Sequence, residues 1–198
     1  MEPLRDHLRA HFAGLGIDSE PGIASVTFLG VERMDVLRFG PDPRPGFDDV
    51  FHHVSMGCSR HPMTDAAAAL SDPLRGPRAE VVLSLRGSTP IPGLARSVAV
   101  VAATPAVDGV VLAADALVDL SGPLWAGAPF TAVLLGGSDI PELALEAPCD
   151  PVRFLSAVPV TQTEGAWVRL KGAEAMRQAW GDDGVDVLDP GRPAARPG

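Results

Sequence analysis

The chain is poor in cysteine: its 198 residues hold two, Cys58 and Cys149. Two thiols are too few for a disulfide scaffold, and their surroundings do not have the spacing of a zinc knuckle. The N-terminus, Met-Glu-Pro-Leu-Arg-Asp-His, lacks the apolar run of a secretory signal. Long hydrophobic runs are lacking as well. The longest, residues 98–118, is cut by Pro105, Asp108 and Asp115 and cannot serve as an uninterrupted membrane span. These absences point to a reducing, cytoplasmic setting and to no membrane partner. Cations are scarce: 16 Lys+Arg face 25 Asp+Glu, for a formal net charge of -9, and Lys171 is the one lysine. Such a surface repels phosphate backbones, which argues against nucleic acid and for a protein partner, a basic one in particular.

What is present is enough apolar matter for a core. Hydrophobic residues make up 46% of the chain and charged residues 21%, the balance of a globular domain. No internal repeat or long linker divides it. Leu4, Leu8, Phe12 and Leu15 recur near helical spacing and predict a helix over residues 3–13. Strands are expected at 23–29, 34–39, 50–56, 79–85, 110–113, 130–135 and 152–160, with a short one at 143–145. A helical turn or two is expected at 66–70. Pro92 opens a second predicted helix over 93–102, with Leu94, Val98 and Val101 inward. Thr161 and Glu164 have capping-box spacing, and helical sequence follows to Trp180 with a break at Gly172. The order predicts an α+β fold: a mixed, largely antiparallel sheet with helices packed on it. Residues 1–185 are expected to form one domain and 186–198 a mobile C-terminal tail.

Several segments, in this order, resemble the suppressor of fused family. His52-His53-Val54-Ser55-Met56-Gly57-Cys58-Ser59 resembles its aromatic-rich strand ending in Ser-x-Gly-x-Ser. Residues 79–86, Ala-Glu-Val-Val-Leu-Ser-Leu-Arg, resemble its acidic-then-apolar strand. Gly93-Leu94-Ala95-Arg96 and the later Asp108-Gly109 are similar to its helix and following glycine turn. Val133-Leu134-Leu135, Val152-Arg153-Phe154-Leu155, Pro159-Val160-Thr161 with Glu164, and Gly172 before residues 173–180 resemble the last third of the domain. The likeness spans roughly residues 20 to 185 as a single domain. It implies an α+β fold without a cofactor and a non-enzymatic module that sequesters or neutralises a protein. In bacterial relatives it implies an association with toxin immunity. The chain ends where the second lobe of the animal form would start, so the two-lobed clamp is not carried over. A partner site must be built from this one domain, or from a homodimer of it.

Candidate chemistry gathers in the segment from His52 to His61. A zinc site would need His52, His53, Cys58 and His61 to converge within about 2.3 Å of an ion. On a strand His52 and His53 face opposite sides, and His52 and Cys58 stand about 20 Å apart at roughly 3.3 Å per residue. No metal is therefore expected. Ser55 or Cys58 with a histidine base would make a hydrolase, the alternative function. There is no Gly-x-Ser-x-Gly elbow, however, so no catalytic residue is assigned. Gly136-Gly137-Ser138-Asp139 lacks the Gly-Lys-Ser/Thr of a phosphate loop. Trp167 and Trp180 read as core, and Trp125, in a Gly/Pro-rich segment, as an exposed anchor. The residues expected to touch a partner are His53, Ser55, Trp125 and Asp139.

Overall fold

A computed structural model describes residues 1–28, 33–64 and 72–196. The chain opens with helix α1 (Glu2–Gly14), which buries Leu4, Leu8 and Phe12 at successive turns. Three strands follow, β1 (Gly22–Val26), β2 (Met34–Phe39) and β3 (Val50–Met56), then a 3-10 turn at Cys58–Arg60 and β4 (Arg78–Arg86). Helix α2 (Leu94–Asp108) leads to β5 (Leu117–Asp119), β6 (Phe130–Gly137), β7 (Val152–Thr161), α3 (Gln162–Lys171) and α4 (Ala173–Asp182). The seven strands form one sheet in the order β1-β2-β3-β4-β7-β6-β5. All neighbours are antiparallel except β4 and β7, which run parallel. This is the mixed, largely antiparallel α+β fold expected from the sequence.

Period-2 alternation divides each strand between two faces. On one face, α2 packs on Val36, Val81, Leu83, Leu85, Val133, Leu135, Leu155 and Ala157. The other face carries two separate cores. Near β2 and β3, α1 covers Leu37, Phe39, Val54, Val82 and Phe154. Near β6, α3 and α4 cover Ala132, Leu134 and Val160. No described helix fills the strip between these two cores.

Most predicted elements lie where they were expected, and the exceptions have physical causes. Helix α2 runs through Pro105 to Asp108. Pro105 has no N–H for the Val101 carbonyl, and the Thr104 hydroxyl donates to that oxygen at 2.8 Å instead. Residues 110–113 form no strand; pairing starts at Leu117, opposite Leu134. The strand expected at 143–145 is a single bridge, Leu143 to Val152. Part of the strand expected at 23–29 and the turns expected at 66–70 lie outside the described residues.

The segment expected as a mobile tail is packed onto the domain as far as Arg196. Arg192 and Ala195 are buried, and Arg192 makes a 2.7 Å ion pair with buried Glu164. The Arg86 N–H donates to the Leu188 carbonyl at 2.8 Å, and the Arg86 guanidinium holds Asp186 at 2.9 Å. A sparse apolar content hid these contacts, because they are polar.

Candidate functional site

The uncovered strip of the sheet forms a cleft of about 230 Å³. Its floor is Val82 and Ser84 of β4 with Ser156 and Val158 of β7. His11, Phe12 and Leu15 form one wall, Arg44 and Phe47 continue it, and Val187 and Leu188 close the other side. The turn Ser138–Asp139–Ile140 rims it, with Asp139 exposed. Alternation aims Ser84 and Ser156 at this strip, where an apolar residue would otherwise sit under a helix. Gly136 lies beside Ser156 in the ladder, and a Cβ there would come within 3.0 Å of the Ser156 hydroxyl. Small residues keep the floor low.

A buried polar chain runs along the wall. The Asp42 carboxylate receives the Arg44 guanidinium at 2.6 Å and the Arg44 backbone N–H at 2.9 Å. His52 Nε2 lies 3.0 Å from the same carboxylate, and its Nδ1 lies 2.8 Å from the Ser84 hydroxyl. Burial alone would raise the Asp42 pKa, but the Arg44 and His52 hydrogen bonds overcome it and hold the carboxyl at about 2. Burial lowers the His52 pKa against the opposing pull of Asp42. In its neutral form His52 donates from Nε2 to Asp42 and accepts the Ser84 hydroxyl proton at Nδ1. His11 nearby is also lowered, first by burial and then by His7, His52 and Arg44, while Asp139 pulls it up.

This Ser84–His52–Asp42 chain has the composition of a hydrolytic triad. Ser84, however, lies in extended strand β4 and not on the sharp strand-to-helix turn that presents free backbone N–H groups beside a nucleophile. Asp42 is committed to Arg44. The arrangement ties the Asp42–Arg44 loop to β3 and β4 and so fixes the wall.

The other end of β3 holds a second buried cluster. Glu80 is fully buried. Its carboxylate accepts the Ser55 hydroxyl at 2.5 Å, the Gly57 N–H at 2.8 Å, the Ser59 N–H at 3.1 Å and the Ser59 hydroxyl at 2.7 Å. The Ser-x-Gly-x-Ser run therefore wraps around the acidic residue of the next strand. Gly57 has φ 147, in the region that favours glycine. Its turn brings Cys58 and His61 to the walls of one separate cleft. Burial, with Glu80 adding, raises the Cys58 thiol pKa, which makes it a poor nucleophile. Among the described residues no three His, Cys, Asp or Glu side chains converge as a metal set.

The family model of suppressor of fused protein matches residues 30–193. The chain belongs to the suppressor of fused family. In structure it is similar to a suppressor of fused homolog from Neisseria gonorrhoeae, with 17% identity and a TM-score of 0.65 over 98% of this chain and 94% of that one. It is also similar to a chain of the Sufu–Fu complex, with 14% identity and a TM-score of 0.67 over 98% and 91%. Against Drosophila Suppressor of Fused the identity is 13% and the TM-score 0.62, over 96% of this chain and 49% of the longer one. No curated protein sequence matches.

Within this suppressor of fused fold the four residues expected at a partner surface are not brought together. His53 and Ser55 are buried, at 6% and 0% exposure, so neither presents a surface. Their alternation points them away from the cleft, toward Arg38 and Glu80 respectively. Trp125 is half-buried against Phe130, with ring centroids 5.6 Å apart, because its Gly/Pro-rich loop folds back onto α2. Asp139 alone stands at the cleft. Asp42, Arg44, Ser84 and Ser156 carried little sequence signal beyond a lone serine in each of two apolar strands. No described helix is long and apolar enough to cross a membrane.

Proposed function

We propose that this chain is a non-enzymatic module that sequesters a protein partner by accepting one of its side chains in the cleft between α1 and the Val187–Leu188 wall. The observation that carries this reading is the floor itself. Ser84, Ser156 and Val158 are half-buried on a sheet face otherwise roofed by helices. An apolar recess with a few convergent hydroxyls is the usual shape of a recognition pocket. Family membership supports a protein as the guest, since one structural relative is a chain of the Sufu–Fu complex. Asp139 on the rim and the net charge of -9 favour a basic neighbourhood on the partner, and Trp125 offers a secondary contact at its exposed edge. A toxin neutralised by this chain is the finer form of the same reading.

The test pairs the purified chain with the product of the adjacent reading frame. Calorimetry is expected to give a saturable complex that Ser156→Phe, which fills the floor, weakens at least tenfold. Asp139→Lys is expected to weaken it more at low salt than at high salt. Rescue of growth when the two genes are co-expressed would support immunity. Binding that ignores Ser156→Phe sinks the cleft reading.

The hydrolase alternative was expected in the His52–His61 segment; the chain with the matching composition is a different one, Ser84–His52–Asp42. It requires that ester cleavage by the purified chain disappear in Ser84→Ala. A rate equal to background in both proteins removes it.

A further inference from the structure

The first turn of α1, at the far end of that helix from the cleft of Ser84 and Ser156, overhangs a second recess of about 510 Å³. Pro3 and Leu4 of α1 form one side of it. Leu143, Leu145 and Val152 form the other, tied together by the Leu143–Val152 bridge. Met1 and Leu74 also line it, with 43% and 49% exposure, so large apolar side chains are left in water here.

A cation without a counter-ion lies among these apolar walls. Arg78 opens β4 opposite Val152 of β7, so the two side chains share a face of the sheet. Arg78 is 4% exposed, yet it makes no ion pair among the described residues. Its Nη1 donates to the Ser59 and Arg60 carbonyls, both at 2.8 Å. Its other edge is poorly met. Nη2 has the Leu74 carbonyl at 3.2 Å and Cys149 Sγ at 3.9 Å, and the buried Nε has no partner. A thiol sulfur is a weak acceptor, and carbonyls bring no formal charge. A buried charge normally has a partner of opposite sign. Two carboxylates beside these walls in sequence are turned elsewhere. Glu142 holds Arg153 at 2.9 Å, and Asp150 accepts the Gly76 N–H at 2.5 Å.

The Nε–Nη2 edge of a guanidinium is a fork that a carboxylate meets with two parallel hydrogen bonds. Cys149 lines the recess with Arg78, and its sulfur stands against that edge. We propose that this recess binds a medium-chain aliphatic carboxylate. The head group takes the Nε–Nη2 edge of Arg78 in place of the Cys149 sulfur, and the alkyl chain lies between Leu4, Leu74 and Leu145. The missing counter-ion selects an anion, and the apolar walls select its tail. The site is separate from the partner cleft and its guest is a small molecule, so it stands whether or not the cleft accepts a protein.

Calorimetry on the full chain at physiological salt compares octanoate, hexanoate, octan-1-ol and octylammonium. Octanoate should bind at least tenfold tighter than the alcohol or the amine. Hexanoate should be weaker by roughly fourfold for each of its two missing methylenes. Octanoate should also slow the alkylation of Cys149 by iodoacetamide, mapped by mass spectrometry. Cys149→Phe, which fills the head-group position, should weaken octanoate at least tenfold, whereas Cys149→Ser should leave it within about twofold of wild type. Arg78→Met, where it folds, should bring octanoate down to the affinity of octan-1-ol. Equal binding of octanoate and octylammonium, indifference to chain length, unchanged alkylation of Cys149, or no binding overturns the proposal. Tighter binding of N-acetyl-Leu-Leu than of octanoate overturns it too, because the guest is then a peptide C-terminus.

Discussion

Arg192 and Glu164 meet 2.7 Å apart with side-chain exposures of 3% and 0%, although 28 residues separate them in sequence. Glu164 also accepts the Thr161 and Ala195 backbone N–H groups and Trp180 Nε1, at 2.9, 3.0 and 3.0 Å. One carboxylate thus closes the N-terminus of α3, anchors α4 through Trp180 and pins the C-terminal segment. That segment supplies Val187 and Leu188 to the cleft, so the wall of the site depends on a bond outside it. Removing one member of a buried pair leaves the other uncompensated, at a cost of about 3–5 kcal/mol. Arg192→Met is therefore expected to lower unfolding stability by roughly 3 kcal/mol. Adding Glu164→Gln to Arg192→Met should cost less than the sum of the single changes. Urea denaturation checks both, and an Arg192→Met midpoint equal to wild type would refute the anchor.

The same carboxylate gives an acid limb to stability. Burial would raise the Glu164 pKa, but the bonds from Arg192, Ala195, Thr161 and Trp180 outweigh it and hold the group at about 2. The folded pKa lies below the unfolded one, so the unfolded state takes up the proton first. Stability from this group is fully present above the ordinary glutamate range and is lost as pH falls from about 4.5 toward about 2. The loss is on the order of 3 kcal/mol. Denaturation curves at several pH values should show this limb, and Glu164→Gln should shrink it, leaving the part contributed by Asp42, which is also held at about 2.

Glu80 makes the turn after β3 a second weak point for substitution. Glu80→Ala removes the acceptor of the two serine hydroxyls and of the Gly57 and Ser59 N–H groups together. Each stranded buried donor costs about 1–3 kcal/mol, so a loss of at least about 3 kcal/mol is expected. Gly57→Ala should cost about 1–3 kcal/mol on its own, because φ 147 is strained for any side chain. Thermal unfolding of both variants decides this, and a Glu80→Ala chain as stable as the parent would show that water replaces the carboxylate.

Local rules were legible in this sequence, and long-range polar pairing was not. Thr161 and Glu164 sit three residues apart, and the capping box they form has both of its bonds. The opposition of His52 and His53 follows from strand period alone, and the two rings do point to different clefts. Gly172 marks the break between α3 and α4. Nothing near Glu164 in sequence announces Arg192, and nothing near Ser84 announces His52 and Asp42. Those contacts depend on which strands neighbour each other and on how a Pro-rich loop folds. Trp125 is half-buried and not fully exposed for a related reason: a Gly/Pro-rich segment signals a turn but not whether the turn folds inward. The cleft was invisible because it is a gap between two helical layers, a property of topology.

His53 supplies a different pH dependence, nearer neutrality. Burial first, and then the charge of Arg38, push its pKa from 6.5 down to about 4, against backbone hydrogen bonds that pull it up. The folded ring is neutral where the unfolded ring begins to protonate. The unfolded state therefore binds more protons below about 6.5, and stability falls as pH drops from there to about 4, by up to roughly 1.4 kcal/mol per pH unit. Below that range both states are protonated and the slope from this residue ends. His53→Leu keeps the site apolar and is expected to flatten the curve between pH 6 and pH 4.5, leaving the contributions of His52 and His11, which are lowered by burial as well. Proton NMR offers a direct check. A His53 ring that titrates near 6.5 in the folded protein would mean that water reaches it, and the slope would then belong to other groups.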